Sequence, residues 1–108
     1  MMSNLKIGAA SAMRFSVTNV AVRHDDAAAF LDVIAARERL AERVGSYYRG
    51  SQTRRAQQMA HNIADMAMAA SEHLQIDADA SDRKLAMAEL ETAAALAIAA
   101  IAQLKGGS

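Results

Sequence analysis

The chain is 108 residues long, with twelve basic and twelve acidic side chains, no Cys and no Pro. That length gives one domain with a modest core, and the missing Cys excludes disulfides, thiolate metal sites and cysteine nucleophiles, in keeping with a reducing cytoplasm. Hydrophobic residues make up 53% of the chain and aromatic ones 4%, and 27 residues are Ala, so helices can approach closely while each buried side chain adds little, which favours self-association.

The charge is unevenly spread. Residues 35–55 carry six Arg against Glu38 and Glu42, for a balance of +4, whereas residues 56–108 carry three basic and seven acidic residues, for −4. The basic middle is the one electrostatic mark of an anionic partner. The start has no apolar run long enough for a signal peptide, and the uncharged run 93–102 is too short to span a bilayer, so no membrane partner is expected.

Residues 1–23 read as an N-terminal arm. The first dozen are small and polar without a period. In residues 13–23, Phe15, Val17, Val20 and Val22 nearly alternate with polar residues, which predicts a short strand. A lone strand needs another copy, a sheet edge or helices to lie on.

Residues 24–108 form the expected helical domain. The first helix is predicted over about 25–44, with Asp25 as its cap, an apolar stripe through Phe30, Ile34, Ala41 and Val44, and Gly45 as its end. Glu38 and Glu42 alternate with Arg39 and Arg43, which reads as a solvated salt-bridge face. Residues 45–52, GSYYRGSQ, read as a linker. A second helix is predicted over about 53–74, with Ser51 or Thr53 capping it and Ala56, Ala60, Ile63, Ala67, Ala70 and Leu74 along one face. The acidic turn at 75–80 leads to a third helix over about 81–105, capped by Asp79 or Ser81.

That last helix has two apolar lines. Met87, Leu90, Ala94, Ala97, Ile101 and Leu104 follow a three-four spacing, and Leu85, Ala86, Ala93, Leu96 and Ala100 lie beside them. The second helix is expected to cover the first line. The other line is left to the helix at 25–44 or to another subunit. The fold class is therefore all-α: an antiparallel helical hairpin plus an N-terminal helix, with a short extended or strand-like arm, assembled as a helical-bundle homo-oligomer.

No catalytic constellation is present in the sequence, so no enzyme and no cofactor are expected. His61 and Asp65 are four residues apart and His73 follows, but three or four converging ligands would be needed for a metal. There is no phosphate-binding or dinucleotide glycine pattern. The neutral chain and the lack of helix-turn-helix spacing argue against duplex nucleic acid. The better candidate for ligand binding is the cluster of Tyr47, Tyr48, Arg49, Arg54 and Arg55. Aromatic rings stack on bases, and guanidinium groups grip phosphates. The competing reading is a solvated basic loop anchored by two tyrosines.

Leu85-Ala86-Met87, Leu90-Glu91-Thr92-Ala93, Leu96-Ala97 and Ala100-Ile101-Ala102 resemble the final helix of small phage helical-hairpin proteins that sequester cyclic-nucleotide immune signals, the anti-CBASS and anti-Thoeris sponges. Ala56, Ala60 and Ile63 resemble the first hairpin helix of that family, and Tyr48 lies close to its helix-start Tyr. Leu96 stands where the family carries Trp, and the turn 74–81 is longer. The resemblance implies a non-enzymatic sponge in the host cytoplasm, a homo-oligomer with cyclic-nucleotide pockets between subunits and Tyr47 or Tyr48 stacked on the bases. Charge and placement add Arg54, Arg55, Arg83 and Lys84 as phosphate contacts. The alternatives are a self-assembling scaffold, such as a virion or shell component tied together by the arm, and a helical adaptor for a partner protein.

Overall fold

In the computed structural model of the chain, the described residues are 4–6, 14–16 and 23–106. The fold is all-α, built from α1 (His24–Tyr47), α2 (Gln52–His73) and α3 (Ala80–Leu104). Two three-residue strands precede them, β1 (Asn4–Lys6) and β2 (Arg14–Ser16), paired antiparallel with Leu5 opposite Phe15. This pairing is within the chain and needs no second copy. The remainder of the 13–23 stretch expected as a strand lies outside the described residues, apart from the extended Arg23 that precedes α1.

The helix ends follow local chemistry. Ser51 caps α2 by accepting from the Arg54 amide at 3.1 Å, filling one of the orphan donors of a first turn. Asp79 caps α3 in a reciprocal box. Its carboxylate accepts from the Asp82 amide at 2.8 Å, and the Asp82 carboxylate accepts from the Asp79 amide at 3.1 Å. Gly106, at φ +93°, ends α3 in a conformation that suits a residue without Cβ.

Two boundaries differ from expectation. Asp25 lies inside the first turn of α1, with Arg23 in the capping position and no side-chain cap. Gly45 does not end α1, which runs on to Tyr47 before Tyr48 turns extended. Ser46 Oγ donates to the Glu42 carbonyl at 3.1 Å along this added turn. The extension delivers Tyr48, only 7% exposed, into the core; burying that ring outweighs the weak helix preference of one glycine. The true loop is therefore residues 48–51. Glu38, Glu42, Arg39 and Arg43 make no ion pairs among the described residues.

α2 and α3 form the antiparallel hairpin, and α1 packs on α3. The core gathers Val44 and Tyr48 from the α1 side, Ala56 and Met59 from α2, and Leu96, Ala99 and Ala100 from α3. Met59 and Leu96 are its largest fully buried apolar side chains. The two apolar lines of α3 exchange the roles expected of them. Ala86, Ala93, Leu96 and Ala100 are buried, with Leu85 of the same line exposed, while Met87, Leu90, Ile101 and Leu104 stay exposed. The small residues win the interior because alanines let two helices close on α3, leaving the larger side chains on the outside. By length and composition α3 is apolar enough to cross a membrane, and a third of its most apolar window is buried inside the fold.

Candidate functional site

The five expected ligand residues lie along the junction of α1 and α2, where Tyr47 and Tyr48 are in ring contact and the three arginines have separate fates. Tyr48 faces inward, and its phenol oxygen accepts from Asn62 Nδ2 at 2.7 Å. Tyr47 meets it edge-on, with ring centroids 5.0 Å apart at 87°, and is itself 69% exposed. One tyrosine is thus held by the core, and the other presents its ring to solvent. Of the two stacking candidates, Tyr47 is the available one.

The arginines divide in the same way. Arg55 is half-buried and donates through Nη2 to the Val44 carbonyl at 3.4 Å. α1 has no basic residue in its last turn, so Arg55 supplies from α2 the positive charge that a helix C-terminus favours. Its Nε is buried without a partner. Arg55 is therefore a junction residue rather than a surface phosphate grip. Arg54 is exposed; its aliphatic stem runs beside Gly50, where an added Cβ would lie 3.2 Å from Arg54 Cγ. Arg49 is pinned through its backbone, its amide donating to Gln58 Oε1 at 3.3 Å and its carbonyl accepting from Gln58 Nε2 at 3.0 Å. The guanidinium groups of Arg49 and Arg54 make no hydrogen bond or ion pair among the described residues.

Arg83 and Lys84 do not join this cluster. They belong to the first turn of α3, and Arg83 Nη1 donates to the Ala78 carbonyl at 3.3 Å. The cluster lies at the start of α2, the opposite end of an antiparallel hairpin whose helices are roughly 30 Å long at 1.5 Å per residue. The seven residues expected to contact a ligand cannot do so together within one subunit.

A cavity of about 250 Å³ opens beside the tyrosines, lined by Leu40, Arg43, Val44, Tyr47, Tyr48, Asn62, Met66, Thr92 and Leu96. All three helices contribute to it. Its wall is apolar through Leu40, Val44, Met66 and Leu96, and polar through Asn62 and Thr92. Thr92 Oγ1 is already committed to the Ala88 carbonyl at 3.0 Å. Arg43 is exposed at this cavity. Reading the sequence missed Arg43, assigned to a salt-bridge face, and Asn62, which no motif marks. Arg43 stands four residues before Tyr47, and Asn62 three after Met59 and four before Met66, which puts each beside an inward-facing side chain of its helix.

No group of three or more His, Cys, Asp or Glu side chains converges on a metal geometry among the described residues. No protein-family model, no curated protein and no solved structure matches this chain.

Proposed function

We propose that this chain is a small-ligand binding protein whose site is the cavity where Tyr47 and Arg43 meet the Tyr48–Asn62 pair, working as a non-enzymatic sponge for cyclic nucleotides. The observation that carries the reading is the sharing of one cavity by an exposed aromatic ring and an arginine. A ring and a guanidinium side by side suit a planar heteroaromatic group that carries a negative charge. The cavity is smaller than the ~300–1,000 Å³ of sites that enclose a drug-sized ligand, so it suits one ring, with the charged remainder outside. Arg43, and the unpaired Arg49 and Arg54 along the loop, supply the positive field for that remainder.

Assembly is part of this proposal. A cavity holding only one ring leaves most of a cyclic nucleotide to be covered by another subunit, and the exposed apolar line of α3 supports self-association. The sequence resemblance to phage sponges points to the same ligand class and to the cytoplasm of an infected cell. Calorimetric titration with cyclic dinucleotides and cyclic ADP-ribose tests the reading: heat of binding that disappears in Tyr47→Ala and Arg43→Ala variants supports it, and no heat with either ligand refutes it.

A further inference from the structure

The cavity makes no use of the exposed line on α3. Met87, Leu90, Ala94, Ala97, Ile101 and Leu104 repeat with the three-four spacing of a heptad seam. The four large members are 54, 47, 54 and 62% exposed, in chain order. Of the two charges lying between, Glu89 falls off this line by helical phase, and Glu91, four residues after Met87, flanks it. Large side chains stand at both ends of the line and alanines in the middle, so the order of sizes is the same when it is turned end for end.

We infer that a second copy of this chain docks here, α3 against α3 and antiparallel, about a two-fold axis between Ala94 and Ala97. The inference rests on the self-association included in the proposal above and names its surface and register. In that register Ala94 meets Ala97 of the second copy, Leu90 meets Ile101 and Met87 meets Leu104. The alanines allow the helix axes to approach to ~8 Å, the near end of the usual range, while the larger pairs fill the flaring ends.

Electrostatics select the antiparallel orientation. The last turn of α3 has no basic residue, and its free carbonyls are the negative end of the helix dipole. Antiparallel pairing brings Arg83 and Lys84 of each copy to that end of the other. It also brings Lys105 of each copy to the end where the other carries Asp79 and Asp82. Parallel pairing would set Arg83 and Lys84 against themselves and align the dipoles.

The four large side chains alone bury less than the ~800 Å² per partner of a stable interface. The shortfall has a source next to them. Ala60, Ala64 and Ala67 of α2 are exposed, and Met68 is 63% exposed. By helical phase the three alanines share the side of the hairpin that carries the α3 line, away from α1, while Met68 lies on the back of α2. An isologous contact uses both lines twice.

Light scattering on the unliganded full chain gives the first test: a mass of two subunits or an even multiple is expected, falling to one subunit in the double variant Leu90→Glu, Ile101→Glu with helicity unchanged. The chain has no Cys, so Leu90→Cys and Ile101→Cys proteins test the register. Mixed and oxidised, they should form a disulfide-linked pair, while neither alone links to itself. A monomeric wild type overturns the inference, whether it stays in solution or sediments with phosphatidylcholine vesicles. Self-linking of Leu90→Cys overturns the antiparallel register. The assay needs no ligand, so a dimer that fails to bind nucleotide would refute the ligand reading and leave this one standing.

Discussion

Asn62 Nδ2 donates to the phenol oxygen of Tyr48 at 2.7 Å, tying the residue that ends α1 to the middle of α2. The bond fixes the Tyr48 ring as one buried wall of the cavity, while Tyr47 lines its exposed rim. Replacing Tyr48 by Phe leaves the half-buried Asn62 amide without this acceptor and should destabilise the fold by about 1 kcal/mol. Tyr48→Ala should cost about 3–5 kcal/mol, as for other large core deletions. Urea unfolding of the three proteins measures both differences.

Arg54 and Arg55 are neighbours with opposite duties. Arg55→Leu removes the guanidinium that closes α1 at the Val44 carbonyl, and a loss of about 1–2 kcal/mol is expected. Arg54→Ala should change stability by no more than about 0.5 kcal/mol, as for an exposed side chain. Thermal melts followed by circular dichroism distinguish them; equal losses would contradict this division.

The turns at each end of the hairpin should be sensitive to small changes. Gly50 has φ +106° with Arg54 Cγ close to where a Cβ would go, so Gly50→Ala should destabilise by about 1–3 kcal/mol. Asp79→Ala removes one half of the α3 capping box and should destabilise by about 1 kcal/mol. Chemical denaturation of both variants measures these effects at opposite ends of the molecule.

The helical hairpin was legible because its signals are local. Ser51 and Asp79 are caps with the right neighbours, and Ala56, Ile63 and Ala70 do face inward. Ala60, Ala67 and Leu74 of the same expected line are exposed, and Met59 and Met66 take the interior places between them. What was not legible depends on competition between elements. Gly45 looks like a stop, but the burial of Tyr48 three residues later carries the helix through it. The choice between the two apolar lines of α3 is set by how closely alanines let α1 and α2 approach, which periodicity does not encode. Of the expected ligand residues, Tyr47 and Tyr48 line the cavity, whereas its arginine is Arg43 and not Arg49, Arg54 or Arg55. Arg55 reads as a surface grip in the sequence because its partner, the end of α1, is eleven residues away. Arg83 and Lys84 share the charge of the cluster without sharing its location.

The central claim is that Tyr47 and Arg43 form a ligand site on a scaffold held by Tyr48. Titration of the wild-type chain and of Tyr47→Ala and Arg43→Ala with a cyclic dinucleotide, in a calorimeter, tests it most directly. The account predicts saturable binding to wild type, weakened at least about tenfold by either variant, a loss of ~1.4 kcal/mol or more, with their unfolding transitions unchanged. Binding of equal strength in all three proteins, or none in the wild type, would contradict it.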